Sequence, residues 1–341
     1  MNKKLTVGVI GLGFGRNHLQ AAIDFGAEIA AICDVNPEKL NAYREKHNLP
    51  ESACFTDYRD VLALNSIDAV IIATPDQLHR EIAVAFLEAG KHVMCEKPLA
   101  LTREDMRAIV AAAKASDKKF MVGQICRFTP AFIKAKELVE AGTIGELYYV
   151  ESEYAHDYEK MLRSVAKHWR TDPLRHGVVG GGCHAVDLLR WIAGDPTEVT
   201  AYGVHKLLPM VPYDDTTISI LKFPNGVIGK IFVSTGCKRN YTMRTLLYGT
   251  KGTIICDNTS DHMQLFTIGE DGMSVNEKPE IIPINVNNHN ALQEFRVFAD
   301  AILNDTPVPT DAIEGAKTVE VCLSIVQSAE TDQKVFPNYR F

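Results

Sequence analysis

The stretch Leu5-Thr6-Val7-Gly8-Val9-Ile10-Gly11-Leu12-Gly13-Phe14-Gly15-Arg16-Asn17-His18 decides the fold. An apolar run meets three closely spaced glycines and then a helical pattern, the strand–turn–helix of a dinucleotide site. Gly11 permits the tight turn, and Gly13 lets a pyrophosphate approach the backbone at the helix N-terminus. Phe14 and Gly15 complete the turn. The usual third glycine belongs at position 16, where Arg16 stands, so the turn reads one residue short. Asp34, at the end of the second strand pattern, answers as the ribose carboxylate. A carboxylate there pairs with a 2′-hydroxyl and repels a 2′-phosphate. Val35-Asn36 add no arginine, so NAD is favoured over NADP. The blander reading, Asp34 as a cap for the helix begun at Pro37, leaves the glycine turn unexplained.

Strand and helix patterns alternate outward from this turn, as in a doubly wound parallel sheet. Apolar strand runs fall at 5–10, 28–33, 67–73, 92–95 and 120–122, with helical stretches at 17–25, 37–47, 77–89 and 103–115. Ala69-Val70-Ile71-Ile72-Ala73 is apolar throughout, the mark of a strand buried on both faces. Thr74 and Pro75 follow it and line the far side of the cofactor. His79, just inside the next helix, reads as a surface or capping histidine at the cofactor's edge, not a catalyst.

Glu96-Lys97-Pro98 closes the run at 90–95. The strand delivers Lys97 to the carboxyl edge of the sheet, where open α/β folds bind ligands. Pro98 has no amide hydrogen and biases Lys97 toward an extended conformation. A lysine after a strand is ordinarily a solvated loop charge. Here it stands at the rim of a dinucleotide crevice.

After residue 124 the order changes, giving a dinucleotide-binding domain at 1–124 and a substrate and oligomerisation domain at 125–341. A helix at 131–141 leads into long alternating strands at 146–156, 199–204, 216–223, 227–234, 243–248, 253–256 and 263–268. Turn signals at 224–226, 249–252 and 270–272 separate them. This predicts an α+β domain with a large, mostly antiparallel open sheet, helices on one face and a self-complementary partner on the other. Tyr148, Val150 and Ile220 are expected on that open face, and helical stretches at 291–303 and 312–329 close the chain. Within Gly180-Gly181-Gly182-Cys183-His184-Ala185-Val186-Asp187, glycines open a helix that sets His184 and Asp187 three apart on one face. A lone histidine is ordinarily a satisfied core residue. Beside a nicotinamide fold and a rim lysine, an acid–base histidine is the better reading, since its ordinary pKa of about 6.5 suits proton transfer.

Composition narrows the class. The 341 residues suffice for two cores, since single cores stop growing at roughly 250–300 residues. A net charge of −7 argues against a nucleic-acid or anionic-membrane surface. The eight cysteines are scattered, which fits reduced, buried thiols in a cytoplasmic protein and argues against a zinc site or disulfide framework. Asn2-Lys3-Lys4 and the apolar run after it imitate a signal peptide but lack a small-residue cleavage site. No run reaches the ~18 apolar residues of a membrane span.

Taken together, these residues resemble the Gfo/Idh/MocA family of sugar and polyol oxidoreductases. The resemblance rests on the glycine turn ending in His18, Ala73-Thr74-Pro75, Glu96-Lys97-Pro98, Trp169-Arg170, the segment 180–187, and Gly249-x-x-Gly252. It implies hydride transfer between a sugar, inositol or polyol hydroxyl carbon and the nicotinamide of NAD. Lys97 and His184 match the family's lysine and histidine that handle the hydroxyl proton, and either is open as its acceptor. The family's aspartate four residues before that histidine is Gly180 here, so either Asp187 or Asp172 orients His184 instead, or the reaction departs from the simple dehydrogenase. Glu96 falls among the implied cofactor contacts. Implied substrate contacts are Lys97, Arg127, His156 with Tyr154 or Tyr158, His184, Asp187, and the Tyr241-x-x-Arg244 pair. An NAD-dependent glycosidase that oxidises its sugar transiently, and a non-catalytic NAD-binding regulator, remain as alternatives. A homodimer or homotetramer through the second sheet is expected.

Overall fold

The structure is a computed structural model that describes residues 4–165, 168–269, 271–287 and 289–341. Asn2 and Lys3, and Glu270 of the expected turn at 270–272, lie outside the described residues. The chain forms two units. One runs to Ile125 and takes in Asn290–Ala316 and Phe341; the other comprises Cys126–His289 and Lys317–Arg340.

The first unit follows the alternating pattern: β1 (Thr6–Ile10), α1 (Gly15–Phe25), β2 (Glu28–Cys33), α2 (Pro37–Lys46), β3 (Cys54–Phe55), α3 (Tyr58–Leu62), β4 (Ala69–Ile72), α4 (His79–Glu88), β5 (His92–Glu96), α5 (Arg103–Ala115) and β6 (Phe120–Gly123). Its strands pair in parallel in the order β3-β2-β1-β4-β5-β6. Strand order reverses beside β1, which opens a crevice at the carboxyl ends of β1 and β4. All four residues of β4 are buried, as its apolar run requires. The edge strand β3 was not expected. Two residues are too few to show an alternation, and only the pairing Ile32–Cys54 and Cys33–Phe55 defines it.

In the second unit, α6 (Pro130–Glu140) leads to β7 (Leu147–Ala155), α7 (Glu159–Leu162), α8 (Gly177–Gly180) and α9 (Cys183–Ala193). Seven strands follow: β8 (Glu198–Val204), β9 (Thr216–Lys222), β10 (Ile228–Ser234), β11 (Thr242–Gly249), β12 (Gly252–Asp257), β13 (His262–Thr267) and β14 (Glu280–Pro283). The sheet order is β14-β13-β12-β11-β7-β10-β9-β8, antiparallel except for the central β7–β10 pair. β14 was not expected; it is largely exposed and carries no apolar alternation. Side chains alternate faces along each strand, and the helix side holds Val150, Ser152 and Tyr154 of β7. Val150 therefore does not belong to the open face, whereas Tyr148, at the register shift that starts β7, is exposed with its ring 6.3 Å from that of Tyr248. The open face carries Tyr149, Glu151 and Glu153 instead. Ile218 and Ile220 of β9, Ile228 of β10 and Tyr202 of β8 extend it, all exposed.

The last two helices are α10 (Ala291–Leu303) and α11 (Ala312–Thr331). α10 belongs to the first unit, where its buried Phe295 meets Phe25 of α1 edge-on at 5.5 Å. A single boundary after residue 124 leaves this return out, because it depends on a long-range helix–helix contact. Among the described residues no helix is long and apolar enough to cross a membrane.

Candidate active site

The first unit supplies a dinucleotide cradle. Gly11 has φ +88° and its N–H donates to the Cys33 carbonyl at 2.7 Å, while a Cβ there would press on the Ala73 backbone. Gly13 has nothing within 4 Å of its missing side chain, so its face of the turn is open. Phe14 occupies the N-cap position of α1, which starts at Gly15, without a side-chain capping bond. Asp34 is not the cap of α2; Asn36 is, accepting from the Lys39 N–H. Asp34 instead accepts from Leu12 N–H at 2.8 Å and Asn36 N–H at 3.0 Å, which aims its carboxylate at the glycine turn. Lys39 Nζ also reaches Asp34, at 2.9 Å. Sequence reading looked for a cation only at the two residues after Asp34 and missed this one, one helical turn further on. At the ends of β4 and β6, Thr74 Oγ1 and Gln124 Oε1 are buried without partners among the described residues. Open glycines, an oriented carboxylate and two unsatisfied polar atoms at strand ends together fit a dinucleotide. Gln124 was not foreseen, since a lone glutamine after a strand carries no local signal.

Two expected cofactor contacts prove to be interior supports. His79 is fully buried, with Nδ1 at 2.8 Å from the Pro98 carbonyl and Nε2 at 3.3 Å from that of Thr74. It ties two strand ends together and is neither a surface nor a capping residue, because the first turn of α4 packs under the 97–98 loop. Glu96 is buried with His18, whose Nε2 lies 2.7 Å from its Oε1. Burial pushes the Glu96 carboxyl up, but His18, with help from Lys97, outweighs this and holds it below the usual range. The other Glu96 oxygen accepts the Lys97 N–H at 3.1 Å, so the pair fixes the backbone from which half-buried Lys97 projects. The Lys97–Pro98 peptide is cis. Glu294 of α10 is wholly buried nearby, and neither of its carboxyl oxygens has a partner among the described residues. Burial first, and then the Glu96 charge, push it well above the carboxylate range, with Lys97 opposing.

In the second unit, His184 on the first turn of α9 is buried and its ring lies over Tyr154 at 6.1 Å and 26°. Tyr154 Oη meets Tyr158 Oη at 2.7 Å and His156 Nδ1 at 3.2 Å. Tyr241 packs against His156 at 4.9 Å and against Tyr154 at 5.5 Å, and its buried hydroxyl has no partner among the described residues. Burial, then neighbouring phenols, push Tyr154 well above its usual range; burial, then Cys126 and Tyr158, do the same for Tyr241. Both therefore stay neutral donors. The structure thus gathers His156, Tyr154, Tyr158, Tyr241 and His184 into one polar aromatic cluster.

Other expected substrate contacts lie elsewhere. Asp187 is fully buried and receives Arg127 in a bidentate pair, at 2.8 and 2.7 Å, with Thr318 Oγ1 at 3.0 Å. The Asp187 carboxylate is thus engaged by Arg127 and Thr318. Asp172 caps its own short turn by accepting from Leu174 N–H at 2.9 Å. Arg244 separates from Tyr241: it lies on β11, exposed and 3.4 Å from Glu153, whereas Tyr241 precedes the strand. The group found at His184 Nδ1 is Cys126 Sγ, at 3.4 Å. Trp169 and Arg170 stack on each other at 4.2 Å, and Arg175 covers the same ring at 4.9 Å.

Comparison with known proteins agrees with this arrangement. Residues 5–124 match the model described as an oxidoreductase family with an NAD-binding Rossmann fold, and residues 132–255 match the GFO/IDH/MocA C-terminal domain. The chain is 31% identical to myo-inositol 2-dehydrogenase of Thermotoga maritima, covering 77% of this chain and 78% of that one. It is 30% identical to levoglucosan dehydrogenase of Pseudarthrobacter phenanthrenivorans, covering 74% and 73%. A solved structure of levoglucosan dehydrogenase in complex with NADH superposes with a TM-score of 0.89 at 26% identity, covering 98% of this chain and all of that one. With an NAD cradle in one unit and a histidine–tyrosine cluster on an open-sheet domain in the other, the chain belongs to the Gfo/Idh/MocA family of NAD-dependent oxidoreductases.

Proposed function

We propose that this dehydrogenase oxidises a secondary hydroxyl of a cyclic sugar, inositol or related polyol. The observation that carries the substrate class is the Tyr241 hydroxyl, buried beside Tyr154 and His156 without a partner among the described residues. A buried phenol left unpaired costs about 1–3 kcal/mol, which a substrate hydroxyl can recover. In this reading NAD supplies the hydride acceptor. Gly11, Gly13, Phe14, Gly15, Asp34, Thr74, Pro75 and Gln124 hold it. Lys97 and His184 serve the reacting hydroxyl: the ammonium favours negative charge developing on the oxygen, and the imidazole takes its proton. Tyr154, Tyr158 and His156 orient the remaining hydroxyls.

The test is a screen of inositols, aldoses, anhydrosugars and their keto forms with NAD, followed at the reduced-nicotinamide absorbance. Net NADH from at least one free polyol is expected. Aglycone release from a glycoside with no net NADH would instead establish the glycosidase alternative. We further propose a cytoplasmic homodimer or homotetramer assembled through the open face of the second sheet. The eight cysteines in thiol form suit a reducing compartment. The exposed Tyr202, Ile218, Ile220 and Ile228 suit a self-complementary contact.

A further inference from the structure

Three buried side chains from distant segments meet in the second unit: Cys126, His184 and Met243. Cys126 Sγ lies 3.4 Å from His184 Nδ1 and also 3.4 Å from Met243 Sδ. Met243 is fixed on β11, where its N–H donates to Asn258 Oδ1 at 2.7 Å. A thioether sulfur carries no proton and can only accept, whereas a thiol has one proton and can also accept. At the sulfur–sulfur contact the thiol must therefore be the donor. With its proton committed to Met243, Cys126 turns lone pairs toward the imidazole. Nδ1–H of His184 then donates to Sγ. The reverse arrangement would leave two sulfur lone pairs facing each other.

We propose that Cys126 and Met243 are positioning residues that hold neutral His184 in the tautomer protonated on Nδ1, leaving Nε2 as the proton acceptor. The hydrogen bond made by one ring nitrogen decides the state of the other. The order runs from the Nδ1–H of His184 to the sulfur of Cys126, and from its S–H to Met243. A proton taken from a substrate hydroxyl forms a bond to Nε2 and gives an imidazolium that keeps Nδ1–H on the sulfur. No oxidant or further acid is needed. The proposal rests on the reading of His184 as an acid–base group. It adds that a neutral thiol does the orienting, where sequence reasoning looked to Asp187 or Asp172.

The direct test uses the full-length protein labelled with 15N-histidine, observed by two-bond 1H–15N correlation at about pH 8, where an ordinary histidine is neutral. The His184 signals are those lost in His184→Asn. A protonated, pyrrole-type Nδ1 with a pyridine-type Nε2 is expected, and the opposite pattern overturns the proposal. Met243→Leu nearly conserves volume and removes the thiol's acceptor, so the S–H can turn onto Nδ1. Its His184 signals should move toward the other tautomer. In that variant kcat should fall about tenfold or more with substrate KM nearly unchanged, a part of the ~100–10,000-fold that acid–base catalysis contributes. Unchanged signals and unchanged kcat in Met243→Leu would refute the orienting role. If the expected tautomer is seen but His184→Asn keeps wild-type turnover, the acid–base reading itself fails.

Discussion

Arg175 lies across Gly180. Its Nη2 donates to the Gly180 carbonyl at 3.1 Å, and a Cβ built at position 180 would collide with its guanidinium. Arg175 is among the largest fully buried side chains, at 2% exposure, and it is stacked on Trp169. The space in which a residue-180 side chain would stand is therefore filled by arginine. Gly180→Ala should destabilise by about 1–3 kcal/mol, the ordinary cost of overpacking. Gly180→Asp should do at least as much, with Arg175→Ala restoring part of the loss in the double variant. Denaturant midpoints check this; a Gly180→Ala protein with an unchanged midpoint would contradict the packing.

The Asp34–Lys39 contact bears on cofactor choice. NAD should bind at least tenfold more tightly than NADP, a gap of about 1.4 kcal/mol or more. Asp34→Ala should narrow the gap. Lys39→Ala should widen it, because it removes a cation that stands against the Asp34 carboxylate and that a 2′-phosphate would meet. Calorimetric titration of each protein with both cofactors decides the order.

Lys97→Ala should lower kcat by about 100-fold or more while NAD affinity stays within about twofold of wild type. The His18–Glu96 pair holds the backbone at this point whatever side chain follows, so the fold and cradle should survive. A variant retaining most of its turnover would reduce Lys97 to a loop charge.

Glu294 links stability to pH. Burial and Glu96 raise its folded-state pKa well above the ordinary carboxyl value, so the folded form binds a proton that the unfolded chain releases. Its contribution is fully present below the unfolded pKa of about 4.3 and is lost as pH rises toward the folded value. Glu294→Gln does not titrate. Its melting temperature should gain on the wild type as pH rises above about 5. A constant difference across that range would show that the carboxyl ionises normally in the fold.

Light scattering at micromolar concentration should give a particle of two or four chains. Ile220→Glu, on the exposed row of β9, should shift it toward the monomer by placing a charge in the apolar contact. A wild-type monomer would rule out assembly through this face.

The sequence by itself determined what short windows encode. The glycine turn at 11–15 with Asp34, the period of the strands and helices, and the positions of Lys97 and His184 were all legible, because backbone conformation and amphipathic period depend on near neighbours. Tertiary structure decided the partnerships. Arg127 and Asp187 are 60 positions apart, Cys126 and His184 are 58 apart, and Cys126 and Met243 are 117 apart. Nothing local marks Cys126 as different from the other scattered thiols, or Asp187 as already engaged. The return of α10 to the first unit, which buries Glu294, likewise depends on which apolar faces meet. A polar group's role is fixed by the donors and acceptors packing brings to it, and those come from any distance along the chain.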